Sequence, residues 1–183
     1  TLTAASGLSG PRGIAFDAAG NLFLSNAGND TVTVVPKLSG TVFGQSVTAN
    51  SAATLTATGP LQGSYAVAID AADNLYISNF GHSTGTVLPQ ADGTLFGQSV
   101  TANTAATLLT AASGLDNPVG IAFDVAGNLY NANVGNHTVT VLVASPLAGG
   151  TLFGQSVAAN TAATLTAAGG LNGPVGVAFD AAG

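Results

Sequence analysis

An all-β fold built from repeated antiparallel sheets is what this sequence predicts, on three observations. The phrase Gly-Ile-Ala-Phe-Asp-Ala-Ala-Gly-Asn-Leu, from Gly13, returns in close variants from Ala66 and Gly120 and begins again at Gly176. Its aspartates Asp17, Asp70, Asp124 and Asp180 stand 53, 54 and 56 residues apart, and a fixed period of this size marks a repeat architecture. Within each unit the apolar and polar residues alternate with period two, and no helical stripe runs through any of them.

The first unit shows the expected elements in order. Residues 13–16 alternate Ile14 and Phe16 with Ala15 and read as a first strand. Residues 17–20 supply Asp and Gly for a turn, and 21–25 form a second strand. A Gly/Asn-rich turn at 26–30 leads to a third strand, Thr31–Val35, where Thr and Val alternate cleanly. A longer connection holds Phe43-Gly44-Gln45-Ser46-Val47, and the same words recur from Phe96 and Phe153. They fit either a bulged excursion or an extra short strand. Residues 53–57 complete the unit as a fourth strand. Such a sheet carries apolar side chains on both faces, and stacking between neighbours hides both, at about 25 cal/mol per Å² of apolar area. That is the logic of a β-propeller, whose blades pack face to face around an axis.

Composition narrows the function. Apolar residues make up 46% of the 183 and charged residues only 5%; all eight acids are Asp, and Arg12 and Lys37 are the only Lys or Arg. A net charge of −6 with two cations argues against a nucleic-acid partner, whose phosphates need Lys and Arg, and against anionic membrane surfaces. With no Cys there is no disulfide framework and no cysteine-ligated metal. No apolar run reaches the length of a membrane span. Low charge with abundant small polar residues points to an extracellular or cell-surface setting. The chain shows neither a signal-peptide pattern nor a starting Met, as expected of a mature, processed or excised segment.

The stretch from Leu115 to Tyr130, Leu-Asp-Asn-Pro-Val-Gly-Ile-Ala-Phe-Asp-Val-Ala-Gly-Asn-Leu-Tyr, is followed from Asn133 by Asn-Val-Gly-Asn-His-Thr-Val-Thr-Val. It resembles the NHL repeat, in the wording of bacterial secreted NHL-like propellers, distantly similar to the virginiamycin B lyase and gluconolactonase type. The resemblance implies blades of four antiparallel strands. The period departs from it, being about 54 rather than the low forties of many such blades. The lyase and lactonase relatives use a glutamate or metal-ligating acids facing the channel; this chain has no Glu, so that machinery does not carry over.

One repeat array over 1–183 is expected, with units at about 11–63, 64–117 and 118–173 and partial units at 1–10 and 174–183. About three and a half repeats fall short of the four to eight blades of a closed propeller, so this chain alone does not close a ring. Three resolutions are open: a window on a longer array, two copies closing a six-bladed ring, or head-to-tail stacking into a filament. Residue 1 reads as lying within a fourth strand and residue 183 within a turn, so that a strand at 175–179 could supply what another copy leaves unpaired.

Candidate sites are few. The repeated aspartates admit a calcium-binding turn, the one cofactor weighed, but a calcium loop gathers several carboxylates and only Asp70 with Asp73 comes near; the plainer reading is an Asx turn. His82 and His137 fall at adjacent, non-equivalent positions of matching turns, as tolerated turn substitutions would. Arg12 takes a slot filled by Tyr65, Val119 and Val175 elsewhere and would sit at a channel mouth, solvated or paired with Asp. Asn29-Asp30-Thr31 and Asn136-His137-Thr138 fit the glycosylation sequon. No catalytic set emerges. The expectation is therefore a non-catalytic, extracellular repeat protein that binds copies of itself as an oligomer or polymer, or binds cell-surface or glycan material. Its rivals are a glycan- or peptide-binding module using Arg12, Tyr65, His82 and His137, and a fragment of a lyase- or lactonase-like enzyme.

Overall fold

The computed structural model describes residues 6–56, 61–144, 150–165 and 170–180. Three four-stranded antiparallel sheets follow one another along the chain. The first unit runs through β1 (Pro11–Phe16), β2 (Leu22–Asn26), β3 (Thr31–Val35), β4 (Gly40–Val42), β5 (Gln45–Val47) and β6 (Ala53–Thr54); its sheet has the order β1-β2-β3-β6, and β4 with β5 forms a separate two-stranded excursion. The second unit repeats this with β7 (Ser64–Ile69), β8 (Leu75–Asn79), β9 (Thr84–Leu88), β10 (Gly93–Leu95), β11 (Gln98–Val100) and β12 (Ala106–Leu109). The third has β13 (Pro118–Phe123), β14 (Leu129–Asn133), β15 (Thr138–Leu142), β16 (Thr151–Leu152), β17 (Gln155–Ser156) and β18 (Ala162–Leu165). These are propeller blades, and they do not close into a ring.

The inner strands lie side by side, β1 next to β7 and β7 next to β13. Glycine permits this approach. A Cβ on Gly13 would lie 2.8 Å from the Ala66 Cα, and one on Gly120 would lie 2.8 Å from the Gly176 Cα. Matching positions of successive units thus face each other, and residues 174–179 run beside β13 as β7 runs beside β1.

Period-two alternation sends the two faces of a blade into different cores. Leu75 and Ile77 of the second blade join Phe23, Val32 and Val34 of the first in one core, while Tyr76 and Val87 turn the other way and pack with Leu129 and Leu142 of the third. A third core, Tyr130, Val141, Val143, Val157 and Leu165, is covered by Val177 and Phe179.

The repeated Phe-Gly-Gln-Ser segment is an extra hairpin, which settles the choice left open by the sequence. Val42 pairs with Gln45, so Phe43-Gly44 is a two-residue loop with φ of 46° and 74°, the left-handed pair of a type I′ turn. Asparagine or glycine would suit that first position better; Phe is held there because its ring packs edge-on against Phe23, centroids 6.0 Å apart. Gln45 ties the hairpin to the blade, donating to the Thr54 carbonyl and accepting from the Thr56 amide.

Some boundaries differ from those expected. The first strand begins at Pro11, and Asn26 is a strand residue rather than a turn residue. The fourth strand covers only Ala53–Thr54, and residue 57 lies outside the described residues. Residues 175–179, expected as a strand, belong to no ladder among the described residues, because no β2-like partner stands beside them. The readings placed on residues 1 and 183 also fall outside the described residues.

Candidate functional site

The pairings Pro11 with Asn26, Ser64 with Asn79 and Pro118 with Asn133 bring the start of each inner strand beside the turn after the second strand. Arg12, Tyr65, His82 and His137 therefore share one rim. The structure joins two of them. The Arg12 guanidinium carbon stands 5.2 Å over the Tyr65 ring, so an aromatic face of the next unit neighbours this exposed cation. Phe80 extends the cluster, its ring 5.4 Å from that of Tyr65 and 40% exposed. Phe80 was missed, although its counterparts Ala27 and Val134 are smaller and the difference is visible in the repeat. His82 is exposed on its turn.

His137 has a structural task that it shares with Asp30 and Ser83. All three adopt positive φ, at 58°, 56° and 52°. Each accepts a backbone amide from the segment leading into the next inner strand. Asp30 accepts from Gly63, Ser83 from Asn117 at 3.1 Å, and His137, through Nδ1, from Gly173 at 2.8 Å. An acceptor is all the position requires, which explains three different side chains there.

Three of the repeated aspartates, Asp17, Asp70 and Asp124, are turn clips. Asp70 Oδ1 accepts from the Ala72 and Asn74 amides, and Oδ2 accepts from Asn74 Nδ2 and the Tyr76 hydroxyl, all at 2.8–2.9 Å. Asp124 does the same with Ala126, Asn128 and Tyr130. The bonds to Ala72 and Ala126 are those of the Asx turn. Asp73, the second carboxylate considered for calcium, accepts the Ala18 amide of the neighbouring blade at 2.9 Å. Among the described residues no group of three potential ligands could hold a metal ion. Burial in the blade interface drives the phenols of Tyr76 and Tyr130 far above the ordinary tyrosine range, and the adjacent Asp70 and Asp124 carboxylates add to the shift.

A second clip was also missed. Asn26, Asn79 and Asn133 are buried, and each donates through Nδ2 to two threonines of the next strand, as Asn79 does to Thr84 and Thr86 at 2.9 and 2.8 Å. The strict recurrence of Asn before these Thr pairs is the signal that could have found it.

The ends of the array also carry exposed apolar side chains. On one side Ile14 and Phe16 of β1 are each 62% exposed, whereas their counterparts Val67, Ile69, Ile121 and Phe123 are packed against preceding blades. On the other side, blade 3 and residues 170–180 enclose a cleft of about 430 Å³, lined by Tyr130, Val139, Phe153, Leu165, Leu171 and Phe179 among others. There Phe153 is 73% exposed, against 8% for its counterpart Phe43.

No known family's sequence profile matches the chain, and no curated protein does. Among solved structures it is similar to a streptogramin B lyase, with a TM-score of 0.50 and 15% identity over 79% of this chain and 40% of that one. A catalytically inactive virginiamycin B lyase from Staphylococcus aureus with quinupristin gives 0.49 and 10%, over 74% and 38%. A protein of unknown function from Bacteroides caccae gives 0.42 and 16%, over 82% and 46%. The chain spans about two fifths of the length of the lyases it resembles. The likeness establishes the propeller fold.

Proposed function

We propose that this chain is a non-catalytic repeat module of the cell exterior, working through its blade faces in self-assembly or adhesion-type contacts. One observation carries the reading: blade 1 leaves Ile14 and Phe16 exposed and blade 3 leaves Phe153 exposed, at positions whose counterparts in the other described blades are buried or half-buried. An exposed apolar face of this kind marks an interaction surface. With charged residues at only 5%, little repulsion opposes contact between copies. Electron microscopy and native mass measurement of the purified chain at high concentration test it; a strictly monomeric population would overturn it.

The rim cluster favours a second reading, a binding module for a glycan or peptide. Arg12 over Tyr65 and Phe80 offers a cation and two aromatic rings on one exposed edge. A glycan and peptide binding screen on the native chain and on Arg12→Ala decides it. A third reading, part of a lyase-like propeller enzyme, takes its support from the fold likeness. It would draw catalytic groups from outside the clips and latches, since Asp70, Asp124 and His137 are engaged in turn and blade hydrogen bonds.

A further inference from the structure

We infer that the partner seated on blade 3 in an assembly is blade 1 of a second copy, whose β1 takes the place that residues 170–180 of the first copy hold. This rests on the self-assembly reading and gives it an interface.

The two segments are interchangeable in sequence. Residues 7–17 read Gly-Leu-Ser-Gly-Pro-Arg-Gly-Ile-Ala-Phe-Asp, and residues 170–180 read Gly-Leu-Asn-Gly-Pro-Val-Gly-Val-Ala-Phe-Asp. They differ only at Ser9/Asn172, Arg12/Val175 and Ile14/Val177. The seat itself is one already used inside the chain. Phe123 packs on Tyr76 with centroids 4.8 Å apart, and Phe179 packs on Tyr130 at 4.6 Å. Phe16, at the same position in its unit, is 62% exposed.

The two occupants differ in what accompanies them. Residues 174–179 offer Val177 and Phe179 to the third core, and no second strand backs them among the described residues. In blade 1 the same inner strand is already paired to β2, and β2 to β3; these two strands carry Leu22, Leu24 and Val35 toward the same side, and these are only half-buried. Their counterparts Leu75, Ile77 and Leu88 are 0–1% exposed, in the core shared with blade 1. A blade 1 seated on blade 3 would bury Ile14, Phe16, Leu22, Leu24 and Val35 together, whereas the resident segment buries only the inner-strand pair. The contact is head-to-tail, since one copy gives blade 1 and the other gives blade 3, and it builds a closed ring or a filament according to its rotation.

The test compares sedimentation of the full chain with two variants at opposite ends of the exchange. Phe16→Asp places a charge on the incoming face, and the expected result is association at least tenfold weaker. Phe179→Ala loosens the resident segment and leaves the incoming face intact, so association is expected to strengthen several-fold. Phe16 is exposed and Phe179 lies outside any ladder, and far-UV circular dichroism verifies that both variants keep the fold. Native association that Phe16→Asp leaves unchanged, or that Phe179→Ala weakens, overturns the exchange while the self-assembly reading stands. A native chain that stays monomeric throughout overturns both.

Discussion

Phe123 of the third blade stands edge-on over Tyr76 of the second, ring centroids 4.8 Å apart and planes 76° apart. On its other side Tyr76 meets Phe96 of its own hairpin at 6.3 Å, and its hydroxyl reaches Asp70 at 2.9 Å. One side chain thus joins a blade core, a blade interface and a turn clip. Removing the hydroxyl alone should be mild, because Phe23 fills this place in the first unit. Tyr76→Phe is expected to cost about 1 kcal/mol, and Tyr76→Ala about 3–5 kcal/mol. Urea unfolding measures both, and equal costs would contradict the assignment.

The buried phenols set a pH dependence. The folded state holds Tyr76 and Tyr130 neutral, while in the unfolded chain tyrosine ionises near pH 10. A raised folded value means that the stabilisation is complete below the unfolded value and is lost as pH climbs above it. The denaturation midpoint should therefore fall between pH 9 and about 11, and fall less in a variant with both residues changed to Phe. Identical slopes for the two proteins would refute this.

The hairpin phenylalanines allow a comparison within one molecule. At Phe43 the ring is 8% exposed, and Phe43→Asn relieves the left-handed backbone but empties a core position, for a net loss of about 2 kcal/mol. At Phe153 the ring is 73% exposed, and the same change should be neutral or stabilising by about 0.5 kcal/mol. Thermal unfolding of the two variants, with the native chain as reference, reads the difference in sign.

Close approach of the inner strands predicts the cost of one methyl group. A Cβ at Gly13 would meet the Ala66 Cα, the Ser25 Oγ and the Val67 amide, each at 2.8 Å. Backbone cannot yield as a side-chain tip can, so Gly13→Ala should destabilise by about 1–3 kcal/mol. Gly40 has open space around it, and Gly40→Ala serves as the control. Chemical denaturation of both variants checks the contrast.

The His137 latch can be tested by exchange within the repeat. Because Ser83 does the same work, His137→Ser should keep amide protection at Gly173, while His137→Ala should lose it by about tenfold. Hydrogen exchange followed by NMR reads that single amide; full protection in the alanine variant would show that the acceptor is dispensable.

The blades and their strands were legible because their causes are local. Alternation at Thr31–Val35 and the Asp17-to-Asn21 turn depend on near neighbours, and the period of about 54 repeats them. The hairpin at Phe43 was legible as a repeated segment but not as a hairpin, since a Phe at positive φ contradicts local preference and is held by the distant Phe23. At the rim, Arg12 and Tyr65 were singled out by their departure from the repeat, yet their stacking is a contact between blades that spacing does not encode.

By itself, then, the sequence determined the class of fold, the number of units and the two-faced character of each sheet, all consequences of period and side-chain type. The tertiary structure alone decided which face meets which blade, which acceptor latches which amide, and which side chains stay uncovered. The physical reason is that Phe16, Phe123 and Phe179 are the same residue in the same local sequence; only the surface facing each one makes the first exposed and gives the other two a tyrosine ring to pack on.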